Sequence, residues 1–305
     1  MASAESPSRV RRLRNMDAGA EAGKAWLEGV FRSGIGSSHG LKGFKEIEQR
    51  MVDAQAAGFA RRFWLLGELA QSGGGWQDRF VEEAGLLYLM LNAFLRRDTL
   101  SEPLREEILR GAGITVDRRQ LELLPQIEDI WDLAVQRNFK EQRLFARQSW
   151  MFGRESKQWV CIQQYRIATQ EFDVNYSLGA GYHGTVALYP GSAQTRAALL
   201  SHEFTQFALP PVESFRNLTE HWADLLTRYP WAESLGSGVS IKSLSRDGER
   251  WIAKDDEGAQ FPIADAVGWR VAAYLGCRDP GLFGEWDGRE FKPSAITAEG
   301  GFYAL

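Results

Sequence analysis

The stretch WMFGRESKQWVCIQQYR, Trp150 to Arg166, decides how the second half of this chain is built. Before it, Leu144, Ala146, Gln148, Trp150 and Phe152 alternate with their neighbours. GRESKQ is a polar turn, and beyond it Trp159, Cys161, Gln163 and Tyr165 alternate again. Period-two patterning on both sides of a polar break predicts two strands of a meander. Both tryptophans then stand on strands that flank a turn, where an aromatic pair across the sheet stabilises pairing by ~0.2–1 kcal/mol. The simplest reading of the stretch is a hairpin.

Upstream, Trp131, Leu133 and Val135 alternate until NFKEQ interrupts them, although a helix through 126–148 is an alternative for the same residues. Downstream, 184–190 (GTVALYP) and 196–204 (RAALLSHEF) read as strands. One helix follows near 213–229: Phe215, Leu218, Trp222, Leu225 and Tyr229 form a stripe that Pro230 ends. After it come short strands separated by Arg246-Asp247-Gly248, Asp255-Asp256-Glu257-Gly258, Asp279-Pro280-Gly281 and Asp287-Gly288. The last, in LFGEWDGREFKP, predicts a type I′ hairpin turn. Such regular punctuation over 126–305 predicts a small barrel or sandwich interrupted by one helix.

The N-terminal part has a different period. Residues 1–17 mix Ser, Ala and Arg and read as a mobile basic arm, and 18–125 reads as a helical domain. Trp26, Leu27, Val30 and Phe31 share one face. Phe44, Ile47, Met51, Ala54 and Gly58 continue through Phe59, Phe63, Leu66 and Ala70 in one rhythm until Gly73-Gly74-Gly75 stops it. Phe80, Ala84, Leu87, Leu91 and Phe94 define a third helix. Ser101 is placed to cap a fourth, with Pro103 in its first turn and Gly111 at its end. The fold class expected is α+β, helices first and strands after.

With 305 residues the chain has room for one large domain or two ordinary ones. Its net charge of -4 gives no global basic field of the kind that draws proteins onto nucleic acid or anionic lipid. Cys161 and Cys277 are too few for a disulfide framework and read as buried thiols in a reducing compartment. The arginines near the N-terminus have no apolar segment behind them, and no later stretch is long and apolar enough to cross a bilayer, so the expectation is a cytoplasmic protein without membrane contact.

Motifs for chemistry are weak. GAGYHG at 179–184 has the letters of a dinucleotide fingerprint, yet TVALY after it reads as a strand, and the fingerprint needs a helix there. GIGSSHG, with Gly34, Gly36 and Gly40, is spaced wrongly and reads as a flexible loop. His39, His183, His202 and His221 include no HExxH pair, and there is no GxSxG elbow, so no catalytic, cofactor or metal residues are assigned.

What stands out is arginine among aromatics. Arg147, Arg154, Arg166 and Arg196 accompany Trp150, Trp159, Tyr165 and Tyr189 on the expected sheet. With Trp286 from the last hairpin, Arg147, Trp150, Arg154, Trp159, Tyr165 and Arg196 form the candidate interaction surface. Packing of an ordinary sheet accounts for this composition first, a protein interface second, and a platform for single-stranded nucleic acid third.

Several segments, in order, resemble one family. RMVDAQAAGFARR (50–62), GGWQDRFVEEAGLLYLMLNAFLRR (74–97), RQSWMFGRESKQWVCIQQYRI (147–167), ALYPGSAQTRAAL (187–199) and FGEWDGREFKP (283–293) are similar to bacterial SWIM zinc finger proteins, in the region downstream of the finger. The family's finger uses a CxC pair and a CxH pair, and this sequence has neither, so zinc binding is not implied. The resemblance implies a gene context of MoxR-type AAA+ ATPases and von Willebrand factor A proteins. The expected function is a non-enzymatic adaptor in such an ATPase-linked assembly, with no cofactor. The alternatives are a single-stranded nucleic-acid binder using the aromatic and arginine face, and a hydrolase with an inter-domain site.

Overall fold

The computed structural model describes residues 7–35, 40–116, 118–141, 144–191, 193, 195–276 and 280–305. The chain divides into two compact units, Met1–Val116 with Pro190–Ser192, and Asp117–Tyr189 with Ala193–Leu305. His39, Cys277, Asp279 and most of the GIGSSHG loop lie outside the described residues.

The first unit is helical: α1 (Pro7–Ser33), α2 (Gly40–Asp53), α3 (Ala57–Leu69), α4 (Trp76–Leu95) and α5 (Glu102–Gly111). The arm expected over 1–17 is helical from Pro7 onward. Proline suits a first helical turn, where its missing N–H has no partner to lose. Leu13, Met16 and Ala20 are buried, and the Arg12 guanidinium donates to the Gln55 and Gly113 carbonyls, so the basic run is anchored to the bundle.

The single helix expected over 44–70 is a helical hairpin. Ala56 N–H donates to the Met51 carbonyl and Gln55 N–H to that of Val52, while Gln55 takes φ 61°. These are the two bonds of a Schellman cap with its left-handed residue. Glycine or asparagine usually fills that position, and glutamine gives no signal, which is why the apolar rhythm ran through it. Gly67 at the end of α3 then lies so close to Phe44 near the start of α2 that an added Cβ would meet the Phe44 Cβ at 3.2 Å. Ser101 does sit at the N-cap of α5, but its hydroxyl makes no capping bond; Pro103 occupies the first turn as expected.

After a short α6 (Arg118–Leu121) the second unit is β-rich. β1 (Gln126–Glu141), β2 (Leu144–Gly153), β3 (Trp159–Ile167), β4 (Gly181–Leu188) and β5 (Arg196–Thr205) close into a barrel of order β1-β2-β3-β5-β4. β1 is one strand through NFKE, since Asn138, Phe139 and Lys140 face Arg147, Ala146 and Phe145 on β2. Neither the interruption nor the alternative helix is formed. The long strand serves two neighbours, its first half pairing with β4 and its second with β2. β3 and β5 run parallel, and among the described residues they pair at Cys161–Arg196 and Ile162–Ala197.

The opening stretch is the β2–β3 hairpin, but its tryptophans do not face each other: Trp150 opposes Cys161, and Phe152 opposes Trp159 with ring centroids 5.3 Å apart. Trp131, Leu133, Met151, Val160, Tyr182 and Val186 are among the residues that fill the barrel.

Then α7 (Phe215–Arg228) intervenes, in place of the helix expected near 213–229. A second sheet follows, with β6 (Leu235–Ser240), β7 (Ser243–Asp247), β8 (Arg250–Lys254), β9 (Gln260–Ile263), β10 (Gly281–Trp286), β11 (Phe291–Ala298) and β12 (Gly301–Ala304). The architecture therefore contains a barrel and an open sheet together. A second helix, α8 (Gly268–Tyr274), was not anticipated: it is short and buries only Gly268 and Val271. The Asp287-Gly288 turn is also longer than a two-residue type I′ turn. Trp286 pairs with Phe291, and Asp287 Oδ1 accepts from the N–H groups of Arg289 and Glu290, each at 2.9 Å. The aspartate side chain organises a four-residue loop in which Gly288 takes φ 88°.

Candidate functional site

Strand alternation sends the β2–β3 side chains to two sides. Trp150 and Cys161 stand on the outer side of the barrel and pack with Phe283 of β10, Ala295 of β11 and Leu235 of β6. Gly236 on β6 makes room for the indole: an added Cβ would lie 2.4 Å from the ring. Trp150, a candidate surface residue, is thus only 3% exposed, and so is not a surface group. Its Nε1 donates at 3.1 Å to Glu285 Oε1. Glu285 is fully buried, accepts from Arg137 Nε at 2.7 Å, and Arg137 Nη2 continues to Gln148 Oε1 at 2.8 Å. A buried carboxylate is tolerated here because its oxygens receive a guanidinium and an indole.

The other candidate residues separate. Trp286 is buried edge-on against Phe215, at 5.0 Å between centroids. Trp159 is half-buried against Phe152. Arg196 lies over Tyr189 at 5.4 Å. Arg154 forks onto Asp132, with Nε–Oδ2 at 2.7 Å and Nη2–Oδ1 at 2.9 Å, and Asp132 also accepts from Ala208 N–H. Of the candidates Tyr165, on the outer side of β3, is exposed, while Arg147, on the inner side of β2 near its free end, is half-buried like Arg154, Trp159 and Arg196.

Sequence reading passed over the acids that hold this region. Asp129 is 4% exposed and accepts from Glu155 N–H, Ser156 N–H and Ser156 Oγ, closing the GRESKQ turn. Burial pushes its pKa up, and the hydrogen bonds from Ser156, Glu155 and Ile130 outweigh that, leaving it below the ordinary value. The available signal was acids set against large apolar neighbours: Asp129 and Asp132 flanking Ile130-Trp131, and Glu285 beside Trp286. The Cys161 thiol is pushed up to about 12, first by burial and then by Glu285, with Arg196 and Arg137 opposing. Such a thiol is not a nucleophile at neutral pH.

Glu213 stands at the centre of another polar cluster. Ser237 Oγ donates to Glu213 Oε1 at 2.5 Å, and His221 Nδ1 lies 3.0 Å from Glu213 Oε2. The carboxylate sits between serine and imidazole, so histidine is not in place to take the hydroxyl proton. His202 packs edge-on to Tyr176 and Tyr182. Among the described residues no group of three or more His, Cys, Asp or Glu is placed to hold a metal ion. GAGYHG runs into β4 as a strand, with no helix to receive a pyrophosphate. Among the described residues no helix is long and apolar enough to cross a membrane.

The helical unit supplies the identification. Residues 11–111 match the family model of the SWIM-associated four-helix bundle domain. The chain carries a SWIM-associated domain. The resemblance to the region downstream of the finger holds for these residues, and the SWIM-associated bundle covers α1 through α5. No curated protein and no solved structure matches the chain. The barrel has the strand order of the OB-type Greek key, a fold that presents its β2–β3 face to oligonucleotides and oligosaccharides. Here part of the outer β2–β3 face, around Trp150 and Cys161, is filled by the second sheet.

Proposed function

We propose that this protein is a non-enzymatic cytoplasmic adaptor, docking protein partners in an assembly with a MoxR-type AAA+ ATPase and a von Willebrand factor A protein. The observation that carries the reading is the distribution of aromatic side chains on the β-rich unit. The indoles of Trp150 and Trp286 are consumed by packing, while Phe204 on β5 is 77% exposed and Trp269 on α8 is 69% exposed. Large aromatic groups left exposed are characteristic of protein contacts, and Leu209 and Val212 are exposed on the same unit. The SWIM-associated bundle supports the same reading through the gene context that the family resemblance implies. The single-stranded nucleic-acid reading is weaker, because part of the outer β2–β3 face that it would use, around Trp150 and Cys161, is occupied by β6, β10 and β11.

Affinity capture with the full chain from its native host tests the proposal. Recovery of an AAA+ ATPase or a von Willebrand factor A protein is the expected result, reduced by Phe204→Ala or Trp269→Ala. Recovery of abundant bystanders alone overturns it.

A further inference from the structure

The free ends of β2 and β3 carry an arginine pair with no ion-pair partner within 4.0 Å among the described residues, Glu171 acting on Arg147 only from farther off. Phe145 opposes Arg166 across the hairpin, and Arg147 opposes Gln164. The segment after β3 brings Phe172 against both arginines. The Arg147 guanidinium lies 4.0 Å from the Phe172 ring centroid, and Arg166 lies 5.2 Å from that ring and 4.6 Å from Phe145. Hydrogen bonds fix the forks further: Arg147 donates through Nε to Asn138 Oδ1 and through Nη1 to Asn175 Oδ1, each at 3.0 Å, and Arg166 Nη1 donates to the Gln170 carbonyl at 2.9 Å.

All of these acceptors are uncharged. Arg97, Arg110, Arg137, Arg154 and Arg228 each pair with a carboxylate, whereas Arg147 and Arg166 have none within 4.0 Å among the described residues. Burial first, and then the Arg166 charge, lower the Arg147 pKa from its ordinary value, with Glu171 partly opposing. The arginines keep donors in reserve: Nη2 of each has no hydrogen-bond partner among the described residues, while Arg166 Nε is also unpartnered but buried. Two oriented, like-charged forks with unused N–H groups match the oxygens of a carboxylate or phosphate.

We propose that Arg147 and Arg166 form an oxyanion site that takes an acidic segment of a protein partner, its carboxylate or phosphate oxygens set against the two guanidiniums. The site rests on the adaptor reading and gives that partner a chemistry. A nucleic-acid strand fits less well. Single-strand platforms offer free aromatic faces for bases, and here the guanidiniums occupy Phe145 and Phe172.

The test uses the full chain and three labelled probes of matched charge: an Asp/Glu-rich peptide, a phosphoserine version of it, and an oligothymidylate. Peptide binding that weakens with added salt is expected, with an affinity drop of at least ~10-fold in Arg147→Gln/Arg166→Gln at unchanged circular dichroism. The peptide preferred shows whether carboxylate or phosphate is the natural group. Arg166→Lys keeps the charge but loses the fork, and is expected to weaken binding a few-fold even if the double variant fails to fold. Absence of peptide binding at low salt, equal binding by the double variant, or preferential capture of oligothymidylate that the same variant abolishes overturns the proposal. If affinity capture recovers the same partners with the double variant as with the wild type, this site falls while the adaptor reading stands. If the wild type recovers none, the adaptor reading itself falls.

Discussion

The β2–β3 hairpin places arginine and aromatic residues at both ends, and the two ends have opposite fates. At the turn end, Arg154 meets Asp132, and on the outer side of the strands Trp150 and Arg137 meet Glu285; each arginine is matched by a carboxylate withdrawn from water, although the guanidinium side chains themselves stay 29% and 36% exposed. At the free end Arg147 and Arg166 meet only rings and neutral oxygens and stay partly exposed. The same residue types therefore serve as cement where a carboxylate is supplied and as an open cationic site where none is. The acids, more than the arginines, distinguish the two.

Four measurements break or sharpen this contrast. The largest effect is kinetic. With a thiol pushed up to about 12, Cys161 in a Cys277→Ser background should react with a thiol reagent at pH 7.5 at least ~10³-fold more slowly than an ordinary cysteine, until the protein is unfolded. Prompt labelling of the native protein would mean that the interface around Trp150 and Glu285 is open. Next, Trp150→Ala removes the ring between the barrel and the second sheet and should cost about 3–5 kcal/mol in urea unfolding.

Third, Asp129→Ala orphans the Glu155 and Ser156 N–H groups and should cost about 2–3 kcal/mol. Because folding lowers the Asp129 pKa, its contribution is complete above the unfolded carboxylate value of about 3.9 and is lost as pH falls through the folded value. Acid unfolding of Asp129→Ala should accordingly be less steep over that range than that of the wild type. The smallest effect is expected at the free end: Arg166→Gln should change stability by less than about 0.5 kcal/mol, since its partners are exposed carbonyls and ring faces. A loss comparable with that of Asp129→Ala would make the free end structural cement as well.

Much of the fold was legible in local pattern. Alternation around GRESKQ marked β2 and β3, the stripe ended by Pro230 marked α7, and the triple glycine at 73–75 separated α3 from α4. The failures occurred where a side chain or a rare backbone state did what a recognisable residue usually does. Gln55 adopts the left-handed cap of a Schellman turn, and Asp287 organises a four-residue loop from the letters of a two-residue turn. The candidate surface was legible only as composition. Alternation shows that Trp150 and Arg147 lie on opposite sides of β2, but it cannot show which side a second sheet will cover.

By itself the sequence determined the order of helices and strands, because apolar period and turn chemistry are local properties of neighbouring residues. Tertiary structure decided which arginines meet carboxylates. Arg137 and Glu285 lie 148 positions apart in the chain, and a charge is neutralised by whatever the fold brings within a few ångströms of it.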